Sequence, residues 1–503
     1  MVTPFNLLLK NLNPQKLYWL CLSILAVIGS SLVLYSTVWG AGLISDSFQY
    51  IATAKTMVSH GYWGYLSEDG TLIPLTQYPP FFPAVLAFLE WLGIHSLVGV
   101  RFLNVVLMGL NIILVGESVR HITQEWLWGL IAALLFVSNR VFLEAHSWAL
   151  SEPLYYFLSL LGMLILVVSL EHENKHYWIT AIIFGLAALT RYIGLVWILT
   201  GMIGLLWGRK PLREKGARSI GFGIVSFLPL GLWTLRNILL TETINNRLVS
   251  FVPLTLKNVL SIITTILNWF IPANWILGHE KIVLFLFLVT GFCLLGLSIL
   301  GWKRTAKPWF KAPWLHPLSV IWLIAALGHF GFLIMAKIGF DHNIGFGDRL
   351  LSPVWLGGIV FIVALAATLW QEQQFLQRGV VILLGGYLIL YFIVGSTFAV
   401  TTWHKQGLGL ARKSWHTSEV IQILPTFDTD HIYSNSPSTM YLWAGSPGHS
   451  LAEFDQIRQT GSATPAYLVV FHHIPINPRL QRLSTDLPIL IADQIATIYR
   501  YPP

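Results

Sequence analysis

Acidic side chains are scarce in this chain, 23 among 503 residues, so an acid set in apolar sequence is a candidate for chemistry. Asp46 lies in "GAGLISDSFQYIATAKTMVSHGYWGYL", residues 40–66, directly after a long apolar run. A carboxylate at a membrane–water border is suited to general-base work, a role worth about 10²–10⁴ in rate. The same residue reads as a helix cap, because Asp46 and Gln49 have the spacing of a capping box. Glu152 lies in "RVFLEAHSWALSEPLYYFL", residues 140–158. Ser151-Glu152-Pro153 reads as a helix start, where the dipole favours an acid. Glu144 and His146 in the same stretch are metal-ligand types, but two ligands need a third to hold a divalent cation. That cation is the one cofactor the sequence admits. Three arginines, Arg191 in "LTRYIGL", Arg236 in "LRN" and Arg349 in "DRLLSP", sit at the ends of apolar runs. Singly, each can snorkel to the interface. Together they have the chemistry of a phosphate site, since guanidinium binds phosphate bidentately and stays charged.

The elements that position these residues are membrane spans. Of the chain, 55% is hydrophobic and 11% charged, against roughly a quarter charged in soluble domains. Runs of about 20 apolar residues give eleven expected crossings: 17–39, 99–118, 126–143, 153–170, 177–190, 193–207, 219–238, 282–300, 317–336, 353–370 and 379–399. The pair 177–190 and 193–207 is short enough to reach half depth. The stretch 81–93 and the helix after Asp46 read as interfacial. Tyr78-Pro79-Pro80 must be extended and then open a helix. Cys21 and Cys293 lie within apolar runs and read as packing residues.

Lysines and arginines set the expected orientation. With the N-terminus cytoplasmic, the cytoplasmic loops hold Lys10, Lys16, Arg120, Lys175, the cluster Arg209–Arg218, Lys303–Lys311 and Arg378, as the positive-inside rule requires. The net charge of +8 is thereby spent on orientation and does not call for nucleic acid. Loops 40–98 and 239–281 then face outward with the tail. The tail, 401–503, reads as a small α/β domain, with "HIYSNSP", "AYLVVFHH", "LPILIAD" and "ATIYRY" as strands. The domain reading is thus 1–400 membrane-embedded and 401–503 extracytoplasmic.

Taken in order, "SDSFQY" after the first span, "YPPFFP" before the second, "SEP", "LTRYIGL", "LRN" and "DRLLSP" resemble the GT-C membrane glycosyltransferases. Within these, the pattern is similar to the protein O-mannosyltransferase and lipid A aminoarabinose transferase group (glycosyltransferase family 39-like), over roughly residues 15–400. The resemblance implies an inverting transferase in the plasma membrane, taking a sugar from a polyprenyl-phosphate donor to a lipid, glycan or protein acceptor at the outer face. It assigns Asp46 as the base and Glu152 as the second acid, steadying acceptor or metal. Arg349, with Arg191 or Arg236, would hold the leaving phosphate. Tyr50, Tyr78, Pro79 and Pro80 would border the substrate groove. Two positions depart from the pattern: Ser47 stands where many members carry a second acid, and Tyr78 where aminoarabinose transferases carry lysine.

Three other classes compete. A transporter or flippase of lipid-linked sugar should show repeated halves and mid-membrane polar residues. The sequence has no visible halves, and its candidate charges crowd one border. A polysaccharide polymerase or ligase would act on the same side through another architecture. A non-catalytic scaffold would use the tail alone.

Overall fold

The computed structural model describes residues 13–67, 71–172, 175–207, 210–245, 251–272, 317–339, 344–371, 375–427, 431–461, 464–475 and 478–502. The expected crossing at 282–300, Cys293 and the cations at 303–311 lie outside these residues. The membrane part consists of α1 (Pro14–Ser36), α2 (Ser45–His60), a hairpin of β1 (Gly64–Leu66) and β2 (Leu72–Pro74), α3 (Phe81–Trp91), α4 (Ser96–Thr123), α5 (Trp126–Ser138), α6 (Arg140–Ser147), α7 (Glu152–Glu171), α8 (Tyr177–Thr190), α9 (Leu195–Leu206), α10 (Leu212–Thr241), α11 (Leu256–Asn268), α12 (Pro317–Gly339), α13 (Asp348–Gln371) and α14 (Phe375–Gln406). Among the described residues seven helices are long and apolar enough to cross a membrane, and the bent pair α5–α6 makes an eighth.

The span expected at 126–143 is broken at Asn139, with a 58° bend. Asn139 leaves helical geometry and its Oδ1 accepts from the Val141 amide at 2.9 Å, which caps the new helix. The short α8 and α9 are also explained. Fourteen residues rise about 20 Å, short of a hydrocarbon layer of about 30 Å, so neither helix is long enough to cross it. Gly194 permits their tight junction, because a Cβ there would lie 2.5 Å from the Ala188 amide nitrogen. At the opposite end of the bundle the cations rest on aromatic faces: Arg120 on Tyr18, Arg218 on Tyr177 and Arg378 on Trp370.

The start of α2 differs from the capping box expected at Asp46 and Gln49. Ile44 is the N-cap, its amide donates to Ser47 Oγ at 3.2 Å, and Asp46 falls within the first turn. The reason lies upstream, in an extended segment held on both sides. Gly42 pairs with Trp148 and Leu43 with Gly409 in parallel bridges. The Gly42 amide donates to Ser147 O at 2.8 Å, Ala149 donates to Gly42 O at 2.8 Å, and Leu410 donates to Leu43 O at 3.0 Å. This seam ends the strand-like run early enough that Ser47, in place of Gln49, meets the N-cap amide, now that of Ile44. Helix α2 packs on α3 and on the tail, so its flat course is walled by protein as well as by its expected interface.

After α14 come α15 (Lys413–His416), α16 (Glu419–Ile423), β3 (Ile432–Ser434), α17 (Pro437–Ala444), α18 (Leu451–Thr460), β4 (Ala466–Phe471), α19 (Pro478–Ser484), β5 (Ile489–Ala492) and β6 (Ala496–Tyr501). The sheet order is β3-β4-β6-β5, with β3 parallel to β4 and the rest antiparallel. Val469, Phe471 and Ile498 face one hydrophobic cluster and Leu468, Val470 and Tyr433 the other, so both faces are covered. Helix α17 docks on α2: Tyr441 meets Phe48 edge-on at 5.3 Å and lies under Lys55.

Two substitutions test this scaffold. Gly409 has φ +54°, and a Cβ there would meet Leu43 O at 2.3 Å. Gly409→Ala should therefore open the seam, seen as a lower melting temperature of the detergent-solubilised protein; an unchanged melting curve would refute the seam. Asp493 accepts from Ser418 Oγ at 2.5 Å and from the Ile495 and Ala496 amides at 2.8 and 3.1 Å. Burial would raise this carboxyl, but the donors outweigh it and hold it below its ordinary value. Its contribution is complete above the ordinary carboxylate range and is lost as pH falls through the depressed folded value. Asp493→Ala should cost the tail about 1–3 kcal/mol at neutral pH, read as faster proteolysis of residues 401–503. The difference from the parent should vanish in strong acid.

Candidate active site

Four charged side chains from four chain segments converge at the end of the bundle that carries the Asp46 loop. Arg349 Nη2 is 2.6 Å from Asp46 Oδ2, and its Nε is 2.5 Å from Glu152 Oε1. Arg191 Nη1 reaches the same Glu152 oxygen at 2.6 Å and donates to Ser151 Oγ at 3.2 Å. Tyr78 donates its hydroxyl to the other Asp46 oxygen, Oδ1, at 2.8 Å. Tyr50 lies beside the cluster, its ring edge-on to Tyr78 at 5.1 Å.

Each residue arrives through a local device. Glu152 opens α7 behind Ser151 with Pro153 in the first turn. Arg191 stands in extended backbone at the α8–α9 junction. Arg349 lies in the first turn of α13, whose start is aligned by Trp269 Nε1 donating to Asp348 at 3.1 Å. Ser352 Oγ donates to Arg349 O at 2.6 Å and is hydrogen-bonded to the Tyr156 hydroxyl, one turn along α7 from Glu152. The backbone of one arginine is thereby tied to the helix of its carboxylate partner.

Exposure is graded across the cluster. The Glu152 side chain is 2% exposed, Arg191 17%, Asp46 20% and Arg349 34%. Glu152 is therefore the floor, and Asp46 with Arg349 is the open edge. Two acids against two guanidiniums sum to no formal charge, which lets this much charge sit in a largely apolar surround. Glu152 Oε2 has no hydrogen-bond partner among the described residues; both guanidiniums share Oε1. Burial pushes the Tyr50 phenol well above its ordinary range, so it stays neutral beside the two acids.

The remaining candidates lie elsewhere. Arg236 does not join the other arginines. It donates to Leu75 O at 2.8 Å and Trp63 O at 3.0 Å, with Trp233 beneath its guanidinium. It thus braces the loop leading to Tyr78. Pro79 and Pro80 are buried, as is Tyr50, and Tyr78 alone of that group is half-exposed. Glu144 pairs with Arg140 at 3.5 Å. His146 is fully buried, accepting from the Asn111 amide at Nε2 and donating from Nδ1 to Phe142 O. Both its ring nitrogens are thus engaged, and among the described residues no three His, Cys, Asp or Glu side chains gather as metal ligands. Sequence reading took Ser151 only as part of a helix start and missed Tyr156 and Ser352. Tyr156 carried a weak signal, sharing a helix face with Glu152 at a spacing of four.

Comparison with known proteins bears on the fold that carries this cluster. The family profile described as dolichyl-phosphate-mannose-protein mannosyltransferase matches residues 77–233, which include Tyr78, Glu152 and Arg191. No curated protein matches the chain by sequence. ArnT from Cupriavidus metallidurans bound to undecaprenyl phosphate superposes with a TM-score of 0.59 at 11% identity, over 95% of this chain and 97% of that one. Its apo state gives 0.55 at 13% identity over the same shares. Arabinofuranosyltransferase AftD from mycobacteria gives 0.53 at 13% identity, over 96% of this chain and 40% of its own. The chain has the fold of the GT-C membrane glycosyltransferases. Within that fold it resembles the protein O-mannosyltransferase and aminoarabinose transferase group.

Removing the floor should be costly. Glu152→Ala leaves two guanidiniums without their shared anion, a loss of about 3–5 kcal/mol for a broken buried pair, read as a drop in melting temperature. Glu152→Asp keeps the charge but shortens the reach. It should melt near the parent while misplacing Arg349; a melting loss as large as that of the alanine variant would argue against charge as the stabilising feature.

Proposed function

We propose that this protein moves a sugar from a polyprenyl-phosphate donor to an acceptor hydroxyl, with inversion, at the extracytoplasmic face of the plasma membrane. The observation that carries the reading is the contact between Asp46 and Arg349 at the open edge, above Glu152 and Arg191. A base and a phosphate-binding guanidinium must stand side by side if attack and departure occur at one anomeric carbon. The likeness to ArnT with undecaprenyl phosphate bound supports a lipid-phosphate donor, and the mannosyltransferase profile supports sugar transfer.

In this reading the acceptor O–H gives its proton to Asp46 as its oxygen bonds to the anomeric carbon. The bond from that carbon to the phosphate oxygen breaks, and the electron pair leaves on the phosphate. Arg349 takes up the developing charge, with Arg191 behind it as a second cation. Glu152 holds both guanidiniums in place. The prenyl chain stays among the spans while its phosphate reaches the border. The protein walls around Asp46, α2 and the tail among them, keep out water, whose attack would waste the donor. The sequence cluster Lys210, Arg213, Lys215 and Arg218, at the opposite end of the bundle, supports the site facing outward. The tail, 401–503, stands on the same side and is a candidate for acceptor selection.

The test is transfer in membranes supplied with a panel of radiolabelled undecaprenyl-phosphate hexoses and pentoses. Asp46→Asn should retain the fold and lose about 10²–10⁴ in rate; undiminished transfer would remove Asp46 as base. Arg349→Ala should impair donor use more than acceptor use, and unchanged donor KM and rate would reject its phosphate role.

A further inference from the structure

The segment before Tyr78 is fastened far more firmly than an ordinary surface loop. The Leu75 amide donates to Trp63 O at 2.9 Å. Arg236 holds Leu75 O at 2.8 Å and the Tyr192 hydroxyl donates to Thr76 O at 3.1 Å. Gln49, on the helix of Asp46, donates to Gln77 at 3.3 Å. Pro79 and Pro80 then restrict the backbone on the other side of Tyr78. The Tyr78 ring is seated edge-on against Tyr50, which is itself edge-on to Phe82 at 5.1 Å. This fastened segment places the phenol to donate to Asp46 Oδ1 at 2.8 Å.

We propose that Tyr78 is a positioning residue for Asp46, holding Oδ1 so that Oδ2 stays aimed when a donor phosphate draws Arg349 away. The inference rests on the functional reading above and assigns a role within it. As the structure stands, both carboxylate oxygens are engaged, Oδ1 by the phenol and Oδ2 by Arg349. A phosphate that engages the guanidinium competes with Oδ2 for it. Without a second anchor the freed carboxylate would rotate about its side chain and lose its aim at the acceptor. A phenol supplies that anchor without neutralising the acid. An ammonium or guanidinium at the same place would form a second ion pair and restrain the base electrostatically. Oδ2 then receives the acceptor proton, and the Tyr78 proton stays on the phenol throughout.

Tyr78→Phe keeps the ring and its packing but removes the donor. With whichever undecaprenyl-phosphate sugar the parent transfers, this variant should lose about 10- to 100-fold in kcat, the scale of a misplaced reacting group. Its donor KM should stay within about twofold of the parent. A merely structural role would add its loss to that of any other substitution. Here Asp46→Asn and the double variant Asp46→Asn/Tyr78→Phe should have the same residual rate, because the phenol acts only through the acid. A native kcat in Tyr78→Phe overturns the proposal. So does a raised donor KM with kcat intact, which would place Tyr78 on the donor. Multiplicative losses in the double variant, or loss of the folded protein in Tyr78→Phe, also overturn it. Full transfer by Asp46→Asn would remove the functional reading itself, whereas full transfer by Tyr78→Phe beside an inactive Asp46→Asn removes only this inference.

Discussion

One oxygen of a buried carboxylate organises the site. Glu152 Oε1 lies within 2.6 Å of guanidinium nitrogens from both Arg191 and Arg349. Two cations brought together in an apolar surround repel each other and lose their hydration. Only an anion between them makes the arrangement tenable, and only a second anion, Asp46, brings the sum to zero. The order of exposure then follows. The shared acid must lie deepest to reach both guanidiniums, Arg191 enters from below through its short helices, and Arg349 bridges upward to Asp46. The open edge is thus occupied by one acid and one guanidinium, the pair on which the proposed transfer rests.

The bundle is interrupted wherever it supplies a residue to this cluster. Helix ends at Asn139, Ser147–Glu152 and Arg191–Gly194 all expose backbone groups that lipid cannot satisfy. Buried side chains answer them. Asn104 donates to Trp148 O at 2.7 Å, Asn111 donates to Pro153 O at 3.1 Å, and Ser147 Oγ donates to Leu143 O at 2.8 Å. Polar residues that look misplaced in apolar spans are therefore the supports of broken helices. Asn104 and Asn111, both fully buried on α4, serve the turns on either side of Glu152.

The long spans were legible in the sequence because apolar length is a one-dimensional property. The described crossings fall close to the expected ones, and the aromatic-rich tail strands lie at the predicted segments. The site was legible in part for the same reason. Asp46, Glu152, Arg191 and Arg349 are charges at apolar borders, and such charges have few places to go. Their pairing was not legible, since nothing local tells Arg349 from Arg236. The two are separated by what faces them: a carboxylate pair in one case, the Leu75 and Trp63 carbonyls in the other. The cap at Asp46 was misread for a similar reason. A capping box is a local pattern, and here a tertiary seam moved the helix start so that Ser47 took the role.

That seam ties the acid to parts of the chain remote in sequence. Residues Gly42 and Leu43 run between Trp148–Ala149 on one side and Gly409–Leu410 on the other. Asp46 is three residues beyond. The same Trp148–Ala149 segment leads within three residues to Glu152, so one backbone bridge sets the spacing between the two acids. The Gly409 side continues into the tail, whose Tyr441 returns to contact Phe48, two residues past Asp46. The helix that carries the acid is consequently gripped before and after it by the tail. Changes in residues 407–444 that loosen either grip will reach Asp46 through α2 without touching a charged residue. The tail and the membrane bundle therefore act on the acid as one mechanical unit.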